Sequence, residues 1–197
     1  MNIVWANTEF VLSAASSTQL PQDGLPQLAV AGHSNVGKSS LLNTLLNRKS
    51  LVKTSKKPGC TRLLNVFHVD HQLSLVDLPG YGFARAPKRE QAKWQQLIED
   101  YFLHQHCPKR LVLVLLDARH GPKDSDLQLI TWLNEQGIRW HPVATKADKL
   151  NAGMRHKRSK EMCDALGGML PPLWTSSLKK SGADPLRALI IKELLEE

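Results

Sequence analysis

Gly32-His33-Ser34-Asn35-Val36-Gly37-Lys38-Ser39 matches the pattern G-x-x-x-x-G-K-[ST] at every fixed position. Just before it, Gln27 to Ala31 is a short apolar run that reads as a buried strand. Just after it, Leu41, Leu42, Leu45 and Leu46 recur at helical spacing within Ser39 to Asn47. A glycine-rich turn between a strand and a helix is the context in which this pattern grips phosphate. Glycines let successive backbone N–H groups turn inward, and the helix N-terminus adds positive potential. Lys38 offers a point charge to β and γ oxygens, and Ser39 a hydroxyl to Mg2+.

Outward from this turn, strands and helices alternate. Arg62 to Val69 and Gln72 to Val76 read as strands separated by Asp70-His71, a two-residue gap typical of a hairpin. Ala86 to Leu103 is helical, with Trp94, Leu97, Ile98 and Tyr101 in one stripe. Leu111 to Leu116 is a continuous apolar strand, which implies burial on both faces. A helix over Leu127 to Glu135, a strand over Ile138 to Ala144, a helix over Ala152 to Leu166 and a short strand over Leu173 to Thr175 follow. Asp184 at the cap and Pro185 in the first turn open a last helix. Such alternation implies parallel β-α-β units, with ligands at the carboxyl ends of the strands. Residues 1–24, Ser-rich in part, are expected to form an N-terminal extension packed on a single domain of residues 25–197.

Three more strand-to-loop junctions carry chemistry. Thr145-Lys146-Ala147-Asp148 follows the strand ending at Ala144. An aspartate there can accept hydrogen bonds from N1–H and the exocyclic amine of guanine, and adenine would leave it unpaired. The Lys146 stem can lie along the base, and Ser176, Ser177 and Leu178 are expected to approach it through backbone N–H groups. In Asp77-Leu78-Pro79-Gly80, Asp77 can hold a Mg2+-bound water and the Gly80 N–H can meet a γ-phosphate. Between Asn47 and Arg62, Thr61 is the candidate hydroxyl that completes the Mg2+ shell only when the γ-phosphate is present.

Composition narrows the setting. The 197 residues suit one domain; 42% are hydrophobic and 22% charged, which excludes a disordered polar chain. The three cysteines form no C-x-x-C pair, so a zinc site or disulfide framework is not expected. No run approaches membrane-helix length and no secretory signal is seen, so a cytoplasmic location is expected. The net charge of +8 favours an acidic partner. Basic residues gather in three places: Arg48, Lys49, Lys53, Lys56, Lys57 and Arg62; Arg85, Lys88, Arg89 and Lys93; and Arg155, Lys157, Arg158 and Lys160. The first two clusters flank the γ-phosphate sensors, which points to a nucleotide-controlled RNA surface.

The five elements, in this order, resemble the TRAFAC class of GTPases (TrmE-Era-EngA-EngB-like). The phosphate loop, Lys57-Pro58-Gly59-Cys60-Thr61, Asp77-Leu78-Pro79-Gly80-Tyr81-Gly82-Phe83-Ala84, Thr145-Lys146-Ala147-Asp148 and Ser176-Ser177-Leu178-Lys179-Lys180 closely resemble the EngB (YihA/YsxC) family. The resemblance implies an α/β fold, the P-loop NTPase G domain: a six-stranded, mostly parallel sheet with one antiparallel strand and helices on both faces. It implies binding of GTP and GDP with Mg2+, contacts that extend to Ser40, Gly59, Cys60, Arg62 and Leu63, and metal ligation around Ser39, Thr61 and Asp77. It places Lys38, Thr61 and Gly80 in the hydrolysis of GTP to GDP and phosphate. It also implies a role in large ribosomal subunit assembly, with precursor particles or rRNA as partner, and a link to cell division and septation. A monomer without DNA or a membrane span is expected.

Two departures from Ras-like proteins bear on rate. Tyr81 stands where those proteins carry a water-orienting Gln, so slow intrinsic hydrolysis is expected. Asn35 occupies the position of an asparagine in potassium-stimulated relatives; it either helps to hold K+ or only fixes the loop backbone. A P-loop ATPase or kinase, disfavoured by Asp148, and a constitutive RNA-binding module with structural nucleotide are the competing readings.

Overall fold

The computed structural model describes residues 3–52, 63–82, 88–104, 107–168 and 170–196. Among these residues seven strands form one sheet: β1 (Thr8–Ala14), β2 (Gln27–Gly32), β3 (Leu64–Val69), β4 (Leu73–Asp77), β5 (Arg110–Asp117), β6 (Trp140–Thr145) and β7 (Leu173–Trp174), in the order β1-β3-β4-β2-β5-β6-β7. Only β3 runs against its neighbours, pairing antiparallel with β1 and β4; the remaining pairs are parallel. The helices are α1 (Lys38–Leu45), α2 (Lys88–His104), α3 (Asp124–Glu135), α4 (Ala152–Ala165) and α5 (Ala183–Leu194).

The pleat divides the core. On β5, Leu111, Leu113 and Leu115 join Leu28 and Val30 of β2 beneath Leu41, Leu42 and Leu45 of α1 and Leu186, Ile190 and Leu194 of α5. The alternate residues Val112, Val114 and Leu116 pack with Ala29 and Ala31 against Ile98 and Tyr101 of α2, Leu129 and Leu133 of α3 and Met162 of α4. Burial on both faces is why β2 and β5 read as unbroken apolar runs.

The strand count differs from the six expected. Thr8–Ala14 adds an edge strand because its register slips between Phe10 and Leu12, a bulge that breaks period-two patterning and hides the strand from a sequence reading. The cap of α5 also differs. Gly182, at φ 85°, is the N-cap, and Asp184 sits inside the first turn, where its carboxylate accepts from Arg187 at 2.9 Å. Gly182 is required there: a Cβ would fall 2.1 Å from the Trp174 carbonyl oxygen. His68 lies on β3, within the stretch expected to be a strand, with Nε2 2.8 Å from Asp23 Oδ2. The tryptophans at 94, 132, 140 and 174 sit in or against the core.

Candidate functional site

The phosphate-loop residues connect the end of β2 to the start of α1. Gly32 cannot carry a side chain, since a Cβ would lie 2.9 Å from Val36 Cγ1 and 3.0 Å from Leu115 Cβ. Asn35 and Gly37 adopt left-handed backbone (φ 63° and 108°), turning the chain sharply into the helix. Two loop N–H groups are spent internally: Ser34 donates to the Tyr81 carbonyl at 2.9 Å and Val36 to the His33 carbonyl at 3.0 Å. The rest of the cradle is Gly37, Lys38, Ser39 and Ser40, where the first turn of α1 presents N–H groups that a helix cannot satisfy itself.

Asp77 ends β4 beside this loop. Its carboxylate is buried at 2% exposure, accepts from the Lys38 ammonium, and lies 3.4 Å from the Asn65 amide, which Ser13 of β1 in turn contacts at 2.7 Å. Leu78 and Pro79 lead to Gly80, whose α-carbon packs so near the loop that a Cβ would be 3.4 Å from Ser34 Cα. The Ser39 hydroxyl and the Asp77 carboxylate make an all-oxygen donor pair. That suits Mg2+, which keeps several waters and takes one or two carboxylates plus phosphate oxygens. Gly59, Cys60, Thr61 and Arg62 lie outside the described residues; Leu63, just inside them, is exposed.

Tyr81 turns away from this cradle. Its ring is buried at 6%, edge-on to His33 and Trp94, and Trp94 Nε1 donates to the Pro79 carbonyl at 2.9 Å. Burial and the neighbouring Asp126 carboxylate push the phenol pKa well up. Among the described residues, neither Tyr81 Oη nor Asp126 Oδ1 makes a well-formed hydrogen bond, although the two groups lie close enough to interact. A side chain so placed cannot orient a water at the loop.

The other half of the site forms where β6 and β7 end. The buried Thr145 hydroxyl donates to the Val36 carbonyl at 2.7 Å, stitching this loop to the phosphate loop. Lys146, left-handed at φ 58°, donates from Nζ to the Asn35 carbonyl at 2.7 Å and to Asp117 Oδ2 at 2.8 Å. Ala147 N–H donates to the Thr175 carbonyl at 3.0 Å. The Ser176 hydroxyl donates to Asp148 Oδ1 at 2.6 Å. That bond, helped by Lys149, holds the Asp148 carboxyl below its ordinary pKa despite burial acting the other way. One expectation fails here: the Ser176 N–H does not face the base site but donates to the Ser181 carbonyl at 3.0 Å, in a bridge that folds residues 176–181 back on themselves. Ser176 therefore serves through its hydroxyl. Ser177 and Leu178 remain at the rim of a cavity of about 190 Å³, lined also by Gly37, Ser40, Thr145, Lys146, Asp148 and Lys149. A larger groove of about 340 Å³ beside Leu111 and Trp140 lies at the opposite, amino ends of β5 and β6, away from these loops.

Several residues the sequence reading passed over belong to this end. Asp117, at the close of β5, binds Lys146 and takes both Arg119 Nε and Nη2, at 2.9 and 2.7 Å. Burial would raise its carboxyl pKa, but Arg119 and Lys146 outweigh burial and hold it far below the carboxylate range. The signal available was an acidic residue at the carboxyl end of a fully buried strand. The third basic cluster is also not one open surface. Arg155 and Arg158 are half-buried and bonded to carbonyls, whereas Lys157 and Lys160 are exposed.

Fold and loop order together define a phosphate-loop GTPase. Residues 27–146 match the family model described as a 50S ribosome-binding GTPase. The chain is 42% identical over 195 residues to a probable GTP-binding protein EngB of Clostridium perfringens, covering 97% of this chain and 98% of that one. It is 44% identical over 191 residues to the Vibrio parahaemolyticus protein of the same description, covering 95% and 87%. The chain belongs to the EngB family of GTP-binding proteins. Its fold matches a crystal structure of a probable GTP-binding protein engB (TM-score 0.66, 21% identity, 87% of this chain and all of that one). It also matches Era in complex with MgGDPNP and nucleotides 1506–1542 of 16S ribosomal RNA (TM-score 0.66, 25% identity, 87% and 57% covered). No helix among the described residues is long and apolar enough to cross a membrane.

Proposed function

We propose that this GTPase is a slow nucleotide switch acting in the cytoplasm on precursors of the large ribosomal subunit. The observation that carries the nucleotide part is a single cavity bordered at one end by Gly37 and Ser40 of the phosphate loop and at the other by Asp148. In this reading the Asp148 carboxylate accepts from guanine N1–H and the exocyclic amine while Lys146 lies along the base. Lys38, shared with Asp77, moves its charge onto β and γ oxygens. Ser39, Asp77 and Thr61 hold Mg2+, directly or through water, and the ion neutralises phosphate charge when bound. Gly80 meets the γ-phosphate. Asn35, whose carbonyl already takes Lys146, is the residue that would face K+. The burial of Tyr81 supports a slow intrinsic rate, with acceleration supplied by a partner or another group.

The ribosomal part rests on the net charge of +8, on the description of the matched family model and on the RNA held by the Era relative. A link to septation follows indirectly, through translation. The experiment is cosedimentation of the protein with purified large-subunit precursors, loaded with GDP or with a non-hydrolysable GTP analogue. Binding should favour the GTP analogue and weaken steeply with salt. Binding insensitive to both would favour a constitutive RNA-binding module. A hydrolysis assay in KCl against NaCl tests Asn35; equal rates discard K+.

A further inference from the structure

We infer that Arg155 and Arg158 of α4 are positioning residues for base recognition, bracing from behind the loop that carries Lys146 and Asp148 and the Asp117–Arg119 loop that holds Lys146. The inference rests on the guanine-reading role proposed for those two residues. α4 buries fewer side chains than α1, α3 or α5. Over 14 residues it buries only Met162, so little apolar burial fixes where it sits. Its two half-buried arginines supply other contacts.

Arg155 Nε–H is shared between the Ala147 carbonyl at 3.1 Å and the Leu150 carbonyl at 3.3 Å. Those carbonyls bracket the 3-10 turn Ala147–Lys149, with Asp148 at its centre. Within the turn, Lys149 N–H donates to the Lys146 carbonyl (3.0 Å) and Leu150 N–H to the Ala147 carbonyl (3.2 Å), while Ala147 N–H reaches outward to the Thr175 carbonyl (3.0 Å). The turn also starts from Lys146 in left-handed backbone, a conformation that persists only where surroundings impose it. A guanidinium bonded across both ends of so short a turn sets the direction in which the Asp148 carboxylate faces the cavity.

Arg158 acts on the second loop. Its Nη2 donates to the Arg119 carbonyl at 3.1 Å, and its Nη1 pairs with Glu161 at 2.9 Å. Arg119 grips Asp117 through two nitrogens, and Asp117 grips Lys146. The chain of contacts therefore runs from α4 to the lysine laid along the base. Lys157 and Lys160 share the helix and the charge but are exposed, and Lys157 only approaches Glu161 at 4.0 Å. They form a natural control.

The test is calorimetric binding of GDP and IDP, which lacks the exocyclic amine, to the full chain and its variants. Arg155→Ala should weaken GDP binding about tenfold and cut the preference for GDP over IDP about threefold or more, because a misdirected carboxylate loses the amine contact first. Arg158→Ala should weaken both nucleotides alike, leaving that preference unchanged, since it acts through Lys146. The double variant Lys157→Ala/Lys160→Ala should stay within about twofold of the parent for both, which separates position from charge. Arg155→Lys keeps the charge with different geometry and should also lose preference, so the inference stays testable if Arg155→Ala does not fold. An unchanged GDP-to-IDP preference in the Arg155 variants overturns it, as does an equal effect from the lysine pair. If the parent itself fails to distinguish GDP from IDP, it is the guanine-reading role of Asp148 that falls.

Discussion

The two ends of the candidate site are built differently. At the base end, Asp148 is bound by Ser176, Lys146 by Asp117 and the Asn35 carbonyl, and Asp117 by Arg119. Asp148 and Lys146 meet partners from other loops, so the end is organised before any ligand arrives. At the phosphate end, the Lys38 ammonium rests on Asp77, and behind the loop Tyr81 and Asp126 bury polar atoms that make no well-formed hydrogen bond among the described residues. A preorganised end reads identity with little rearrangement, and an end whose partners are exchangeable responds to what is bound. The difference matches a switch in which guanine is recognised in every state and the tail of the nucleotide decides the state.

The largest expected effects separate the two ends directly. Lys38→Ala removes charge-assisted bonds to two phosphates and should raise the Kd of both GDP and GTP about 100-fold or more. It should do so without changing the preference for guanine over adenine. Asp148→Asn should do the reverse, relaxing that preference about tenfold or more with a smaller loss in total affinity. Competition binding against ADP checks both, and a Lys38→Ala variant that loses base selectivity would break the division of labour.

Backbone substitutions should sharpen the same contrast. At the base end, a Cβ on Gly182 would meet the Trp174 carbonyl oxygen at 2.1 Å, an atom of the strand itself. At the phosphate end, a Cβ on Gly82 would meet the His33 ring at 2.1 Å, a side chain rather than backbone. Both positions have positive φ, 85° and 78°, so both variants carry strain of about 1–3 kcal/mol. Gly182→Ala should cost more, because only there must backbone move. Urea denaturation of the two alanine variants should give the larger midpoint shift for Gly182→Ala.

The unequal build also explains what could be read from sequence. The phosphate loop is contiguous, and its signal is complete within Gly32–Ser39. The base loop is nearly so, which is why Lys146 and Asp148 stood out. Its supports are not contiguous: Asp117 and Arg155 reach Lys146 and Ala147 across 29 and 8 residues, and no pattern in a single chain marks a side chain that turns back on a carbonyl. Arg155 and Arg158 looked like a basic face because charge is visible in sequence and direction is not. The edge strand β1 escaped because its bulge breaks the alternation that identifies strands.

A pH series isolates the base-end supports. The folded Asp117 carboxyl is held below its unfolded value, so its contribution is fully present above the ordinary carboxylate range and is lost as pH falls through the folded value. Asp117→Asn should lower stability by about 1–3 kcal/mol at pH 7, where the parent has the charged bonds. Below pH about 4 the gap between variant and parent should narrow, because the unfolded parent takes up a proton on Asp117 that the folded state still refuses. Urea midpoints at pH 7, 5 and 3 measure it; a gap constant across the series would mean that the Asp117 charge does not support this end.

The smallest expected effect lies at the phosphate end and concerns Tyr81. Its hydroxyl is buried without a well-formed hydrogen bond among the described residues, so Tyr81→Phe deletes a group that costs desolvation and returns little. Stability should change by no more than about 1 kcal/mol, toward the more stable side. The ring contacts with His33 and Trp94 survive the change. GTP turnover should be equally untouched, because the side chain faces α3 rather than the phosphate cradle. A loss of about 2 kcal/mol or more would instead show that the phenol and the Asp126 carboxylate do bond in solution. The phosphate end would then be tied to α3 as firmly as the base end is tied to α4, and the contrast between the two would disappear.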